Sequence, residues 1–178
     1  FMTEAYNPQR IPVIMVHGLA SDPHIWQNVM NEILGDPVLR ERYQLWYFLY
    51  PTGLPVAGTS NRLRLAIQAA AETFDPEHDD AALRNMVIIG HSMGGGATFL
   101  ADAFAPAEVK CYFTFAAAET NPSAVAAAAN ITRPHLTISG SYDCVAPPAS
   151  HQNLIYNALA STCKTKIELT KGYHCAFA

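Results

Sequence analysis

One short motif in this chain has the residue types and spacing of nucleophilic chemistry. Gly90-His91-Ser92-Met93-Gly94 matches the pattern Gly-x-Ser-x-Gly. The apolar, β-branched run from Met86 to Ile89 precedes it and predicts a buried strand, and the small and apolar residues after it predict a helix. A strand, a sharp turn and a helix form the context in which this pattern indicates a nucleophile elbow. Such a turn exposes the serine hydroxyl at a helix N-terminus, where the helix dipole favours developing negative charge.

The elements around the motif predict a parallel sheet. Strands are expected at 11–16, 45–50, 86–89, 111–116, 135–139 and 166–169, with amphipathic segments between them. Most of these strands are apolar throughout, which is typical of parallel strands buried on both faces. Together with the elbow, this pattern resembles the α/β-hydrolase family. The resemblance implies a minimal α/β-hydrolase: one domain over residues 1–178 with about six parallel strands, helices on both faces and no lid domain.

Turn and capping residues predict where the helices begin. One helix is expected from Pro23 to Gly35 after a cap at Ser21 or Asp22, and another after a cap at Thr59 or Ser60. A short alanine-rich helix is expected over 122–130, and a last helix is expected to start at Pro147 and Pro148. Residues 1–10 are polar and are expected to form a loose arm.

A serine hydroxyl becomes a strong nucleophile only when a base accepts its proton and a third group orients that base. In the family that this chain resembles, the order along the chain is serine, acid, histidine. Downstream of Ser92 this order is matched by Asp143 and His174, which follow the fifth and sixth predicted strands. The carboxyl ends of parallel strands lie at one edge of the sheet, so these side chains are expected to meet. We predict Ser92 as nucleophile, His174 as general base and acid, and Asp143 as its orienting group, with Glu119 as the alternative acid.

The oxyanion of a tetrahedral intermediate requires hydrogen-bond donors. The backbone N–H of Met93, directly after the nucleophile, is expected to be one of them. In the lipases and esterases that this sequence resembles, His-Gly before a hydrophobic residue marks the loop of the second donor. Here that loop is His17-Gly18-Leu19, so we predict the N–H of Leu19. The apolar side chains of Trp26 and Val145 are expected to bind substrate beside them.

The resemblance changes along the chain. Residues 11–95 resemble compact bacterial lipases and esterases. The segments 119–122 and 140–148 look like those of cutinase-like polyester hydrolases, a group that includes enzymes acting on polyethylene terephthalate. The two parts meet near the elbow, and a chimera of two parents is one interpretation of that junction. Polyester hydrolases place an aromatic residue near the end of the fourth strand, where it supports the substrate. This chain has Ala118-Glu119-Thr120-Asn121 there, with no aromatic residue, so the sequence favours simple esters over polyesters.

Composition excludes several classes of function. Half of the 178 residues are apolar and 15% are charged, which indicates a globular protein. A net charge of −4 gives no basic patch for nucleic acid or an anionic membrane surface. No apolar run approaches the ~20 residues that span a bilayer. The cysteines form no Cys-x-x-Cys pair, so a zinc ribbon is not expected. Hydrolysis by a serine, a histidine and an acid needs no cofactor or metal, and none is expected.

Three of the four cysteines fall in the last 35 residues. We predict a disulfide between Cys144 and Cys175, because each directly follows a predicted triad residue; free thiols are the alternative. A disulfide implies an oxidising compartment, which favours a secreted or periplasmic protein. No basic-then-apolar leader begins the sequence, so no signal peptide is expected to remain.

These residues predict a serine hydrolase that cleaves small or polymeric carboxylic esters through an acyl-enzyme intermediate. The same fold also supports thioester or amide hydrolysis and acyl transfer, because a fold does not settle the substrate. A folded scaffold without an organised triad is the third interpretation.

Overall fold

A computed structural model describes residues 4–102 and 107–176 of the chain. The strands are β1 (Ile11–Val16), β2 (Tyr43–Phe48), β3 (Met86–His91), β4 (Val109–Phe115), β5 (His135–Gly140) and β6 (Lys164–Leu169). They form one sheet in the spatial order β2-β1-β3-β4-β5-β6, and all neighbouring pairs are parallel. Parallel neighbours require a crossover between successive strands, and helices supply these crossovers. The prediction of a six-stranded parallel sheet is confirmed.

Helices cover both faces of the sheet. They are α1 (Gln27–Gly35), α2 (Pro37–Arg42), α3 (Val56–Phe74), α4 (Ser92–Asp102), α5 (Ala124–Ala128) and α6 (Gln152–Ala158), with 3-10 turns at Pro23–Trp26 and Leu83–Asn85. Four of them, α3, α4, α5 and α6, pack one beside the next, and α1 packs against the opposite face. Within the described ranges no further element is inserted as a lid, and no helix there is both long and apolar enough to cross a membrane.

Side-chain alternation along the strands divides the core into two layers. Successive side chains of a strand point to opposite faces of the sheet. Met15 therefore packs with Trp26 on the α1 side, whereas the next residue, Val16, packs with Leu63 of α3. All six residues of β3 are buried, so the turn that follows this strand starts from the rigid centre of the molecule.

Several element bounds differ from the sequence prediction. β2 begins at Tyr43 and ends at Phe48, because its register is set by pairing with the six residues of β1. The helix α3 begins at Val56, and Thr59 and Ser60 lie inside it with their side chains buried. The helix α6 begins only at Gln152, since the chain first passes through turns after the two prolines.

One helix was not predicted at all. The segment Pro37–Arg42 forms α2 directly after α1. Asp36 caps it, accepting hydrogen bonds on Oδ1 from the backbone N–H groups of Val38 at 2.8 Å and Leu39 at 3.0 Å. An acidic N-cap followed by proline is a strong helix-start signal, but this helix has only six residues and a short apolar stripe.

The prediction of a loose N-terminal arm is wrong for the residues that the structure describes. Tyr6 stacks on Phe74 with ring centroids 4.5 Å apart and meets Trp46 edge-on. The backbone of Asn7 exchanges hydrogen bonds with the side chain of Gln44. The ring of Tyr6 and the hydrogen bonds of Gln44 together anchor this segment against β2 and α3.

The sheet face that α1 covers becomes progressively more exposed toward β6. On this face Phe113 of β4 and Ile138 of β5 are half-buried, and Ile167 and Leu169 of β6 are 43% and 38% exposed. Helix α1 covers only the opposite end of this face. The sheet is therefore better shielded around the elbow than at its β6 edge.

Candidate active site

Ser92 lies at the junction of β3 and α4 with a backbone φ of 53°. This left-handed conformation is uncommon for a residue with a side chain and costs about 1–3 kcal/mol. A Cβ at Gly94 would lie 2.1 Å from the carbonyl oxygen of His17, and one at Gly90 would lie 2.7 Å from the Cα of Gly95. Close backbone contacts at Gly90 before the serine and at Gly94 after it therefore hold Ser92 in this conformation. The strand, strained turn and helix are those of the predicted elbow.

His174 and Asp143 form a hydrogen-bonded pair at the same edge of the sheet. Nδ1 of His174 lies 2.8 Å from Oδ2 of Asp143, whose side chain is fully buried. The other oxygen, Oδ1, accepts hydrogen bonds from the backbone N–H groups of Val145 at 2.9 Å and Ala146 at 2.8 Å. Because Nδ1 donates to the carboxylate, Nε2 of a neutral His174 is free to accept a proton.

Contacts between loops hold this pair in position. Gln152, which is fully buried, donates from Nε2 to the carbonyl oxygens of Ala117 at 2.7 Å and Ala146 at 3.1 Å. A Cβ at Gly140 would lie 2.3 Å from the carbonyl oxygen of Gly172. The loop of the acid therefore packs directly against the loop of the histidine. Gln152 was not predicted from the sequence, because a single polar residue at a helix start does not indicate that it joins two loops.

His91 also contacts the predicted base. Its Nε2 lies 3.0 Å from the backbone carbonyl oxygen of His174, and the two rings are 4.9 Å apart between centroids. The imidazole is buried, and burial lowers its pKa. The two residues are 83 positions apart in the chain, so this contact depends on the tertiary structure.

The loop after β1 passes directly over the serine. A Cβ at Gly18 would lie 2.9 Å from the Cβ of Ser92. The preceding His17 is buried and stacks on Tyr50 with ring centroids 4.5 Å apart, and the Tyr50 hydroxyl donates to the His17 carbonyl at 2.6 Å. Burial lowers the pKa of His17 and raises that of Tyr50 to about 12. Both rings therefore stay neutral at pH 7 while they hold the loop that carries Leu19.

A cleft of about 860 Å³ opens over these residues. Ser92 and His174 line it together with Leu19, Met93 and Val145, so five of the predicted site residues share one cleft. Leu19 and Val145 are 59% and 65% exposed and lie at its rim. Among the residues that the structure describes, no lysine or arginine lines the cleft. The other lining residues are Gly18, Ala20, Ser21, Ile25, Thr52, Gly53, Leu54, Pro55, Val56, His91, Ala118, Glu119, Thr120, Asn121 and Cys175.

The prediction that Trp26 binds substrate is wrong. Its side chain is only 1% exposed and meets the rings of His91 and Phe115 edge-on, below the cleft. In the 3-10 turn, adjacent residues point in different directions, so Ile25 lines the cleft while Trp26 enters the core.

The predicted disulfide is also wrong, since Cys144 and Cys175 are exposed free thiols in the structure. Both follow the hydrogen-bonded pair in sequence, but the contacts described above join the two loops without a covalent bond. The thiol-bearing residue Cys175 lies in the lining of the cleft.

The alternative acid, Glu119, has other partners. Its carboxylate accepts hydrogen bonds from the hydroxyl of Ser123 and from the backbone N–H of Val125 at 2.8 Å. These contacts hold the start of α5. The geometry therefore favours Asp143 as the partner of His174.

The parallel sheet, the strained elbow and the acid–histidine pair at its carboxyl edge define an α/β-hydrolase. Solved structures share this fold. The monoacylglycerol lipase of Paleococcus ferrophilus has a TM-score of 0.74 at 16% identity, over 94% of this chain and 87% of that chain. MGS-MChE2, an α/β-hydrolase enzyme from the metagenome of sediments of the Mar Chica lagoon in Morocco, has a TM-score of 0.72 at 16% identity, over 94% of this chain and 83% of that chain.

A sequence match narrows this class to a family. The profile of the family described as PETase, PET hydrolase-like, matches residues 58–178, which is more than half of the chain. The chain therefore belongs to the PET hydrolase-like family. No curated protein matches its sequence. The family and the fold are those of ester-hydrolysing enzymes.

Proposed function

We propose that this protein is a serine esterase that cleaves carboxylic esters through an acyl-enzyme intermediate. Ser92 is the nucleophile, His174 the general base and acid, and Asp143 the group that orients His174. The observation that carries the proposal is the 2.8 Å contact between Nδ1 of His174 and Oδ2 of Asp143, at the cleft that Ser92 also lines.

Each step assigns one task to one group. Nε2 of His174 accepts the hydroxyl proton as Oγ of Ser92 attacks the ester carbonyl carbon. The backbone N–H groups of Met93 and Leu19 donate to the resulting oxyanion, assisted by the N-terminus of α4. Collapse of the intermediate breaks the bond to the alcohol, which takes its proton from His174. Water then attacks the acyl-enzyme with His174 again as base, and the acid and free Ser92 are released.

The cleft favours uncharged ester substrates. Most of its lining is apolar. Among the described lining residues there is no lysine or arginine, and Glu119 carries the single side-chain carboxylate. An apolar acyl group that binds there gains about 25 cal/mol of free energy for each Å² of apolar surface that it removes from water. Polyester chain ends are the second candidate substrate, supported by the family match and by an open cleft without a lid over the described residues.

Removal of the nucleophile tests the proposal. Ser92→Ala should lower turnover of p-nitrophenyl butyrate by several powers of ten, because it removes the hydroxyl that is proposed to form the acyl-enzyme. Ser21→Ala is the matched control, since Ser21 lines the same cleft away from the elbow and should keep most of the activity. Equal rates for wild type and Ser92→Ala would remove Ser92 from the mechanism.

A second experiment separates an active site from an inert scaffold. A fluorophosphonate should label Ser92 of the wild type and leave Ser92→Ala unlabelled, since only an activated serine attacks it. Matched butyrate ester, thioester and anilide substrates then rank the acyl chemistry. We expect the ester to give the largest kcat/KM, and a larger value for the thioester or the anilide would reassign the reaction.

A further inference from the structure

We propose that His91 is a positioning residue, whose imidazole fixes the orientation of the general base through the backbone carbonyl of His174. This inference rests on the proposed role of His174. The contact that carries it joins Nε2 of His91 to that carbonyl oxygen at 3.0 Å. The same residue directly precedes Ser92, so one side chain connects the nucleophile turn to the loop of the base.

The hydrogen-bond partner determines which ring nitrogen carries the proton. A carbonyl oxygen only accepts, so Nε2 of His91 must be the N–H donor. Nδ1 is buried and has no hydrogen-bond partner among the described residues. Burial lowers the pKa of His91, and the titratable groups that influence it are His174 and Asp143. At pH 7 the ring is therefore neutral with its single proton on Nε2.

Packing on the remaining sides prevents the ring from turning away. His91 is only 3% exposed, and Trp26 meets it at 90° with centroids 6.4 Å apart. A Cβ at Gly18 would lie 3.3 Å from Nδ1 of His91, so the loop proposed to bind the oxyanion lies beside the opposite edge of the ring. The imidazole therefore lies between this loop and the loop of the base.

The position of the accepting carbonyl explains how this bond acts on catalysis. The carbonyl belongs to His174 itself, so the bond restrains the backbone from which the catalytic imidazole projects. The Asp143 contact restrains the other end of that side chain, at Nδ1. Both contacts together restrict the direction of Nε2. Hydrogen-bond partners that orient metal-binding histidines typically change affinity or activity by about 10–100-fold when they are removed, and we expect an effect of that order for His174.

Nuclear magnetic resonance of the wild-type protein tests the hydrogen bond without any substitution. Long-range ¹H–¹⁵N spectra, assigned with His91→Gln and His174→Gln, report the tautomer of each histidine. We expect the Nε2–H tautomer for His91, with that proton protected from exchange with solvent. An Nδ1–H tautomer or a rapidly exchanging proton would overturn the inference.

Kinetics tests the consequence for catalysis. His91→Phe keeps an aromatic ring but lacks the donor, and we expect a loss of at least tenfold in kcat with KM within threefold of wild type. His91→Gln places an N–H near the Nε2 position and should regain most of that loss. His24→Gln, at an exposed histidine, is the control and should match wild type. Equal losses in His91→Phe and His91→Gln, or no loss in His91→Phe, would contradict a positioning role.

The two proposals fail in different ways. If the wild type cleaves no ester, the proposed function fails. The Nδ1–H resonance of His174 still reports whether its imidazole is held in one orientation. That resonance should be sharp in wild type and in His91→Gln and broadened by exchange in His91→Phe. An equally sharp resonance in His91→Phe would overturn the inference whatever the activity, and this measurement also decides the case if the variant folds with lower stability.

Discussion

The requirement for glycine at position 94 is steric. None of the glycines in the described residues has a positive φ, so an alanine would be acceptable there by backbone conformation alone. Its Cβ would nevertheless lie 2.1 Å from the carbonyl oxygen of His17 and 2.5 Å from that of Val16. Both contacts are to backbone, which cannot rotate away as a side chain can. The first turn of α4 is therefore packed against the end of β1.

At this scale we predict opposite effects for two glycine substitutions. Gly94→Ala should push the 17–19 loop away from Ser92, lower ester turnover by at least 100-fold and destabilise the fold by about 1–3 kcal/mol. Gly58→Ala, in α3 with open space around its Cβ, should keep wild-type turnover and stabilise the fold by about 0.5–1 kcal/mol. Urea unfolding and initial rates measure both. Wild-type turnover in Gly94→Ala would contradict the steric argument.

Among the elements, α4 is fixed at both of its ends. Its N-terminus carries Ser92, and its last residue, Asp102, is buried. Oδ1 of Asp102 accepts a hydrogen bond from the Tyr112 hydroxyl at 2.5 Å and pairs with Arg133. These contacts join α4 to β4 and to the segment before β5. Burial and the Asp102 carboxylate raise the pKa of Tyr112, so its hydroxyl stays protonated as a donor.

Substitutions in this cluster should separate stability from activity. Asp102→Ala removes the buried carboxylate that contacts both Arg133 and the Tyr112 hydroxyl, and it should cost about 3–5 kcal/mol of unfolding free energy. Tyr112→Phe keeps the ion pair and should cost about 1.5–3 kcal/mol. Ser92 and Asp102 are ten residues apart along α4, which corresponds to about 15 Å. The kcat/KM of Tyr112→Phe should therefore stay at the wild-type value. A Tyr112→Phe variant that loses activity but not stability would contradict this assignment.

For the molecule as a whole, buried histidines set the response to acid. His17, His91 and His135 are buried, and burial lowers the pKa of each one, that of His135 to about 3. His135 stacks between Phe99 and Tyr112 and contacts the Thr114 hydroxyl through Nε2. An unfolded histidine takes up a proton near pH 6.5. Between that pH and about 3 the unfolded chain therefore binds more protons, and the free energy of unfolding falls as the pH falls.

We predict that one substitution removes part of this acid sensitivity. From pH 7 to pH 4.5, wild type should lose about 2–3 kcal/mol more unfolding free energy than His135→Gln, which cannot take up the proton. The His135→Gln variant is expected to be less stable than wild type at pH 7, because glutamine cannot stack on Phe99 and Tyr112. Urea unfolding at the two pH values gives the difference, with the exposed His24→Gln as control. Parallel losses in wild type and His135→Gln would show that His135 does not titrate on unfolding.

Much of the architecture follows from local pattern. The apolar runs predicted six parallel strands, and Gly-x-Ser-x-Gly between a strand and a helix predicted the elbow, because strand periodicity and glycine requirements are encoded by neighbouring residues. The family order of serine, acid and histidine indicated Asp143 and His174, and the structure places these two side chains in contact. Element ends were less predictable, since the register of β2 against β1 decides them.

The order of the six strands along the chain and the residue types of the candidate site followed from local sequence patterns. The folded chain determines which of those residues face the cleft and which partners they contact. In it the Trp26 side chain is buried while Ile25 lines the cleft, and Cys144 and Cys175 are free thiols. Glu119 binds the start of α5, and His91 contacts the backbone of His174. Most of these outcomes depend on contacts between segments far apart in the chain, which neighbouring residues do not encode.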